Sequence, residues 1–229
     1  MKKHKNNNNN TIYGINSSTS VINSDNCIVN KISIVKNSQA YQNMNIQNFI
    51  NNNKLSDKVS IVNKIATDTN KSVRSQGIMV DFLFAGLTHD LDSFMYSEKN
   101  NDCILILDQL EDPQNLGQII RTCECAGVNK IILTKDRSVS LSDTSLQISQ
   151  GAFCSIMFYV CGNLSNTIRI LKDNEYWLAA LENSIKAERW DKIDYGGKIG
   201  IILGGEGRGI RKLTLKNSDF IATIPMQGR

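Results

Sequence analysis

From residue 103 onward the chain is punctuated by short, continuously apolar runs: CILILDQL (103–110), KIILT (130–134), SIMFYV (155–160), YWLAAL (176–181), KIGIILG (198–204) and FIATIPM (220–226). A strand with one wet face alternates apolar and polar residues, so runs that do not alternate belong to strands covered on both faces, as in a parallel sheet. The intervening segments supply the cover. In EDPQNLGQIIRTCECAGV (111–128), Asp112 or Asn115 can cap a helix, Leu116, Ile119, Ile120 and Cys123 form its apolar stripe, and Gly127 can end it. Further helices are expected near 163–173 and from Ile210. Strands alternating with helices predict an α/β fold, a mostly parallel sheet with helices on both faces.

Upstream the pattern is different. Residues 1–10 are basic and Asn-rich and predict an unstructured tail. KISIVK (31–36), VSIVN (59–63) and IMVDFLF (78–84) read as strands, and MNIQNFINNNK (44–54) as a helix. SSTSVINSDN, after Asn16, carries no apolar helix pattern. The polar segment SEKNNDC (97–103) marks a boundary. With 229 residues and 41% hydrophobic content, the chain has the material for two domains: a small α/β domain over 11–85, a linker over 86–102, and the larger unit over 103–229.

Charge and cysteine usage narrow the partners. The net charge is only +4, but Arg208, Arg211, Lys212 and Lys216 crowd one segment, which suits nucleic acid as well as a solvated helix face. Six cysteines form no C-x-x-C pair, and the two histidines, His4 and His89, lie far apart, so no metal site is expected. Cysteines set in apolar runs suit a reducing compartment. The start lacks the apolar core of a signal peptide, and no apolar run approaches the ~20 residues of a membrane span. The expectation is a cytoplasmic protein with no membrane partner.

GIILGGEGRGIRKL (200–213) joins an apolar strand to a basic helix through a glycine loop. It is not a dinucleotide fingerprint, because counting from Gly205 puts Ile210 at the third glycine position. Nor is it a P-loop, since Ile210 and Arg211 stand where Lys and Ser/Thr belong. Glu206 also sets a carboxylate where a phosphate would sit. A ligand without phosphates is implied.

Three stretches, NLGQIIR (115–121), ILGGEGRGI (202–210) and IPMQG (224–228), together resemble the three signature motifs of the SpoU (TrmH-like) branch of the SPOUT RNA methyltransferases. SQGA (149–152) is similar to that family's S-x-G-A segment. IYGIN (12–16) and SQGI (75–78) resemble the ends of the L30e-like RNA-binding domain of the members that modify 23S ribosomal RNA. The resemblance covers about residues 11–229. It implies an L30e-like α/β domain followed by a SPOUT α/β domain with a C-terminal trefoil knot, acting as a homodimer. The family continues past IPMQG with a Ser-Leu-Asn segment and a final helix. Their absence here implies a truncated chain with an incomplete knot and a weakened dimer, and leaves a non-catalytic RNA-binding remnant as one reading.

The implied reaction is methyl transfer from S-adenosylmethionine, which has no phosphate, to a ribose 2′-hydroxyl. A guanosine of 23S rRNA is the favoured target and tRNA the alternative. By motif position Gly204 and Ile224, with Gly205, Gly209 and Met226, would hold the cofactor, largely through backbone. Arg121 would act on the 2′-oxygen. A guanidinium with a pKa above ~12 is better suited to stabilising the oxyanion and binding phosphate than to taking a proton. Asn115 either caps its helix or contacts the target ribose, and Glu206 would position neighbouring polar groups or the RNA. Arg208, Arg211, Lys212 and Gln76 would contact RNA without reading its sequence.

Overall fold

The computed structural model describes residues 9–65, 74–97, 101–136, 138–184 and 187–226. The chain forms two compact units. One comprises residues up to Gly86 with Gly117–Thr122 and Leu141–Ser155, and the other Leu87–Leu116, Cys123–Ser140 and everything from Ile156.

In the first unit, β1 (Asn9–Tyr13), α1 (Ile15–Ile22), β2 (Cys27–Val35), α2 (Met44–Asn52), β3 (Val59–Val62) and β4 (Ile78–Phe84) form a sheet ordered β1-β4-β2-β3. β4 is antiparallel to β1 and β2, while β2 and β3 run parallel. Asn43 caps α2 by accepting from the Asn45 and Ile46 amides at 3.0 and 3.3 Å. The expected tail over residues 1–10 is corrected at its end, since β1 begins at Asn9; residues 1–8 lie outside the described residues. α1 forms where no helix pattern was visible. Its buried face joins Val21 and Ile22 to two serines, Ser17 and Ser18, and its N-cap is a glycine. The amide oxygen of Gln76 substitutes for the missing cap, accepting from the Ile15 N–H at 2.8 Å.

Next in sequence come β5 (Leu87–Thr88), α3 (Leu91–Met95), β6 (Asp102–Asp108), α4 (Pro113–Cys125), β7 (Lys130–Thr134), α5 (Asp143–Ile148), β8 (Met157–Cys161) and α6 (Leu164–Asp173). They are followed by β9 (Trp177–Leu181), β10 (Glu188–Arg189), β11 (Lys198–Gly204), α7 (Lys212–Asn217) and β12 (Phe220–Thr223). α5 belongs to the first unit. Gln147 there bonds both backbone groups of Tyr13, its Oε1 accepting the N–H at 2.9 Å and its Nε2 donating to the carbonyl at 3.0 Å. Asp143 accepts from the Thr11 amide at 3.3 Å. These side chains occupy the hydrogen-bonding edge of β1. Just beyond, the Phe153 ring packs on Phe82 and Phe84, with centroids 5.7 and 5.2 Å away.

In the second unit, among the described residues, eight strands form one sheet ordered β10-β12-β9-β11-β6-β7-β8-β5, every pairing parallel. Ile104, Ile106, Ile132, Leu178 and Ile202 fill its core with Ile168 and Leu171 of α6, as the non-alternating runs require. Residues 86–102 are more than the expected linker. β5 adds an edge strand, and α3, capped by Asp90, buries Leu91, Phe94 and Met95. FIATIPM is a strand only to Thr223, since Pro225 cannot donate to a ladder. Lys130, inside an otherwise apolar strand, is paired with Asp102 at 2.7 Å and donates to the Tyr96 carbonyl at 3.0 Å. No helix among the described residues is long and apolar enough to cross a membrane.

Candidate active site

The strand order reverses at the centre of the parallel sheet. From β6 the chain proceeds to β7 and β8 on one side, whereas from β11 it proceeds to β12 on the other. Ligands of open α/β sheets bind beyond the carboxyl ends of strands at such a switch. Here those ends are Asp108 and Gly204, in register with each other. A cleft of about 480 Å³ opens over them, between the segments 109–115 and 205–208.

Local rules shape both walls. Gln109 leaves β6 with φ 63°, and its N–H donates to Thr134 Oγ1 at 3.3 Å. Asp112 caps α4. Its Oδ1 accepts from Gln114 N–H at 2.9 Å and its carbonyl from Leu116 N–H at 3.1 Å. Asn115 is therefore free of capping, and its amide Nδ2 donates across the cleft to Glu206 Oε1. The glycine loop is closed by Gly209 N–H donating to the Gly205 carbonyl at 2.9 Å, with Gly209 at φ 63°. A Cβ on Gly204 would collide with the Gly209 backbone, and one on Gly205 with the Gln109 carbonyl. These two glycines permit the loop's own close packing, which leaves its backbone at the cleft.

The loop's exit is fixed by a residue that the sequence reading passed over. Asp108 is fully buried at the end of β6. It accepts from the Arg211 backbone N–H at 3.1 Å and from its guanidinium Nε at 2.7 Å. Ile210, one residue earlier, is buried in the core. The signal was the aspartate ending the apolar run CILILD, since a carboxylate buried there needs a cation.

The other candidates are dispersed. Arg121 is exposed on α4, six residues beyond Asn115. Arg208 and Lys212 are exposed, while the Arg211 side chain keeps 43% of its surface although its Nε is tied to Asp108. Gln76 lies in the first unit with its amide oxygen engaged at α1. Ile224 and Met226 are exposed just past β12. Gly204 ends β11 and Ile224 follows the end of β12, and only β9 separates these two strands in the sheet. Gln227 and Gly228 of the third motif lie outside the described residues.

A TrmH-family tRNA/rRNA methyltransferase of Staphylococcus saprophyticus is 42% identical over 142 residues, 61% of this chain and 57% of that protein. An uncharacterized tRNA/rRNA methyltransferase of Borreliella burgdorferi is 36% identical over 72% of this chain and 68% of its own length. The 23S rRNA (guanosine-2′-O-)-methyltransferase RlmB of Xylella fastidiosa is 34% identical over 68% of this chain and 63% of its own. The chain thus spans 57% to 68% of the length of these relatives. The fold is similar to that of the SpoU methyltransferase AviRb from Streptomyces viridochromogenes, solved with AdoMet. Its TM-score is 0.75 at 13% identity, covering 96% of this chain and 81% of that one. The SpoU rRNA methylase family matches residues 102–229, which hold the switch point, the Asn115–Glu206 pair and the glycine loop, and the chain belongs to that family.

Proposed function

We propose that the chain transfers a methyl group from S-adenosylmethionine to a ribose 2′-hydroxyl of RNA, with a guanosine of 23S rRNA favoured over tRNA, and that it acts in the cytoplasm as a homodimer. The supporting observation is the Asn115–Glu206 hydrogen bond across the cleft, within the family-matched region. The donor set suits the cofactor. The cleft carries the carboxylates of Glu111, Asp112 and Glu206 against Arg208, a balance that opposes phosphates and accepts a cation. Gly205, which lines this cleft, together with Gly204, Gly209, Ile224 and Met226, which lie outside its lining, would hold S-adenosylmethionine, largely by backbone; when bound it supplies an electrophilic methyl group.

The protein's own groups must orient the hydroxyl and stabilise the charge that grows on its oxygen. With Nδ2 fixed by Glu206, the Oδ1 of Asn115, which has no partner among the described residues, would accept the hydrogen bond of a ribose hydroxyl. Arg121 acts on the oxygen as a cation that stabilises its developing charge. Arg208, Arg211 and Lys212 neutralise backbone phosphates, and the first unit, Gln76 included, adds RNA contacts.

Single-turnover methylation of 23S rRNA fragments and of tRNA tests this reading. Arg121→Ala is expected to abolish transfer while leaving cofactor affinity, by calorimetry, within a few-fold. Near-normal turnover removes Arg121 from the chemistry, and a chain that methylates neither RNA refutes the function.

A further inference from the structure

Glu182 immediately follows β9. Its N–H donates to the Ala222 carbonyl of β12 at 2.9 Å. On the other flank Ala180 pairs with Ile202, and two residues further along this register Glu182 stands level with Gly204. The acid therefore occupies the carboxyl edge of the sheet between the ends of β11 and β12, with Gly204 on one side and Ile224 next beyond the other. Its Oε2 is buried and, among the described residues, receives no hydrogen bond.

A carboxylate oxygen shut away from water without a donor is unfavourable, and native structures keep such groups where something else completes them. The partner that completes this oxygen is a donor, because a carboxylate oxygen accepts. A phosphate would be repelled, and a sulfonium has no hydrogen to give. A ribose hydroxyl fits. Carboxylates at the carboxyl edge of parallel sheets accept ribose hydroxyls in dinucleotide-binding folds, and although the glycine loop here is of a different kind the hydrogen-bond chemistry is the same.

We propose that Glu182 is a binding residue for the nucleoside cofactor, its Oε2 accepting a hydrogen bond from a ribose hydroxyl. The assignment rests on the methyltransferase reading above.

Calorimetric titration of the full chain with S-adenosylhomocysteine and with 5′-methylthioadenosine, which keeps the ribose but lacks the amino-acid moiety, tests this. Glu182→Gln and Glu182→Ala are expected to weaken both ligands by about 10-fold, the loss of one charge-assisted hydrogen bond. Unchanged affinity in both variants overturns the assignment. A loss confined to S-adenosylhomocysteine overturns it as well, by giving Glu182 to the ammonium group. Wild-type protein that binds neither nucleoside overturns the methyltransferase reading and this assignment with it, a result distinct from wild-type binding that the variants match.

Discussion

The Asp108–Arg211 pair is asymmetric, and the asymmetry predicts which half is costlier to remove. Asp108 is fully buried, whereas the Arg211 side chain keeps 43% of its surface in contact with water. Arg211→Ala leaves a buried carboxylate whose remaining donor is the residue-211 backbone N–H. Breaking a buried pair in this way costs about 3–5 kcal/mol, and the lower end applies because water can enter where the guanidinium stood. In Asp108→Asn the amide oxygen still accepts that N–H while Arg211 turns to solvent, so the loss is one charge-assisted bond, about 1.5 kcal/mol. The variants should differ by about 1.5 kcal/mol, and Asp108→Asn/Arg211→Ala should be more stable than Arg211→Ala alone. Urea unfolding followed by tryptophan fluorescence is suited to the measurement, since both tryptophans, Trp177 and Trp190, lie in this unit. Equal costs, or a milder Arg211→Ala, would refute the burial argument.

Gly117→Ala should lower the melting temperature, because its Cβ would lie 2.6 Å from Ile148 Cβ and 2.8 Å from the Ser145 carbonyl oxygen. Overpacking of about 1–3 kcal/mol outweighs the gain in helix propensity, and an unchanged or raised melting point would show that α4 and α5 give way. Thiol labelling should separate two cysteines by pH. The hydrogen bond from Cys154, aided by Ser24, holds the Cys27 thiol below its ordinary range, whereas burial pushes Cys123 up to about 11. The thiolate is the reactive form, so iodoacetamide should modify Cys27 at lower pH than Cys123, as read by peptide mass spectrometry; the reverse order would contradict the geometry.

The parallel sheet was legible because burial on both faces writes itself as unbroken apolar runs, and KIILT is buried throughout. α1 was hidden because its buried face includes Ser17 and Ser18, and its cap is supplied by Gln76, 61 residues away. Asn115 shows what sequence leaves open. Asp112 and Asn115 both have capping chemistry, and only the backbone bonds to Asp112 release Asn115 toward Glu206. Arg211 read as one of a basic cluster, since nothing local reveals that a carboxylate 103 residues earlier holds its Nε.

The placement of α5 and Phe153 in the first unit has a consequence for synthesis. β1 is complete once Tyr13 is made, and Phe84 closes its sheet, yet Gln147 and Phe153, which seal the edge and the aromatic cluster, lie far downstream. At bacterial or eukaryotic elongation speeds the roughly 70 intervening residues take roughly 4–14 s to emerge. During that interval the nascent sheet presents an open edge and bare phenylalanine rings while β6 and β7 are still being translated. Ribosome pausing between codons 84 and 155 would lengthen that exposure, so translation speed across this stretch is a determinant of yield that no equilibrium measurement on the finished protein would reveal.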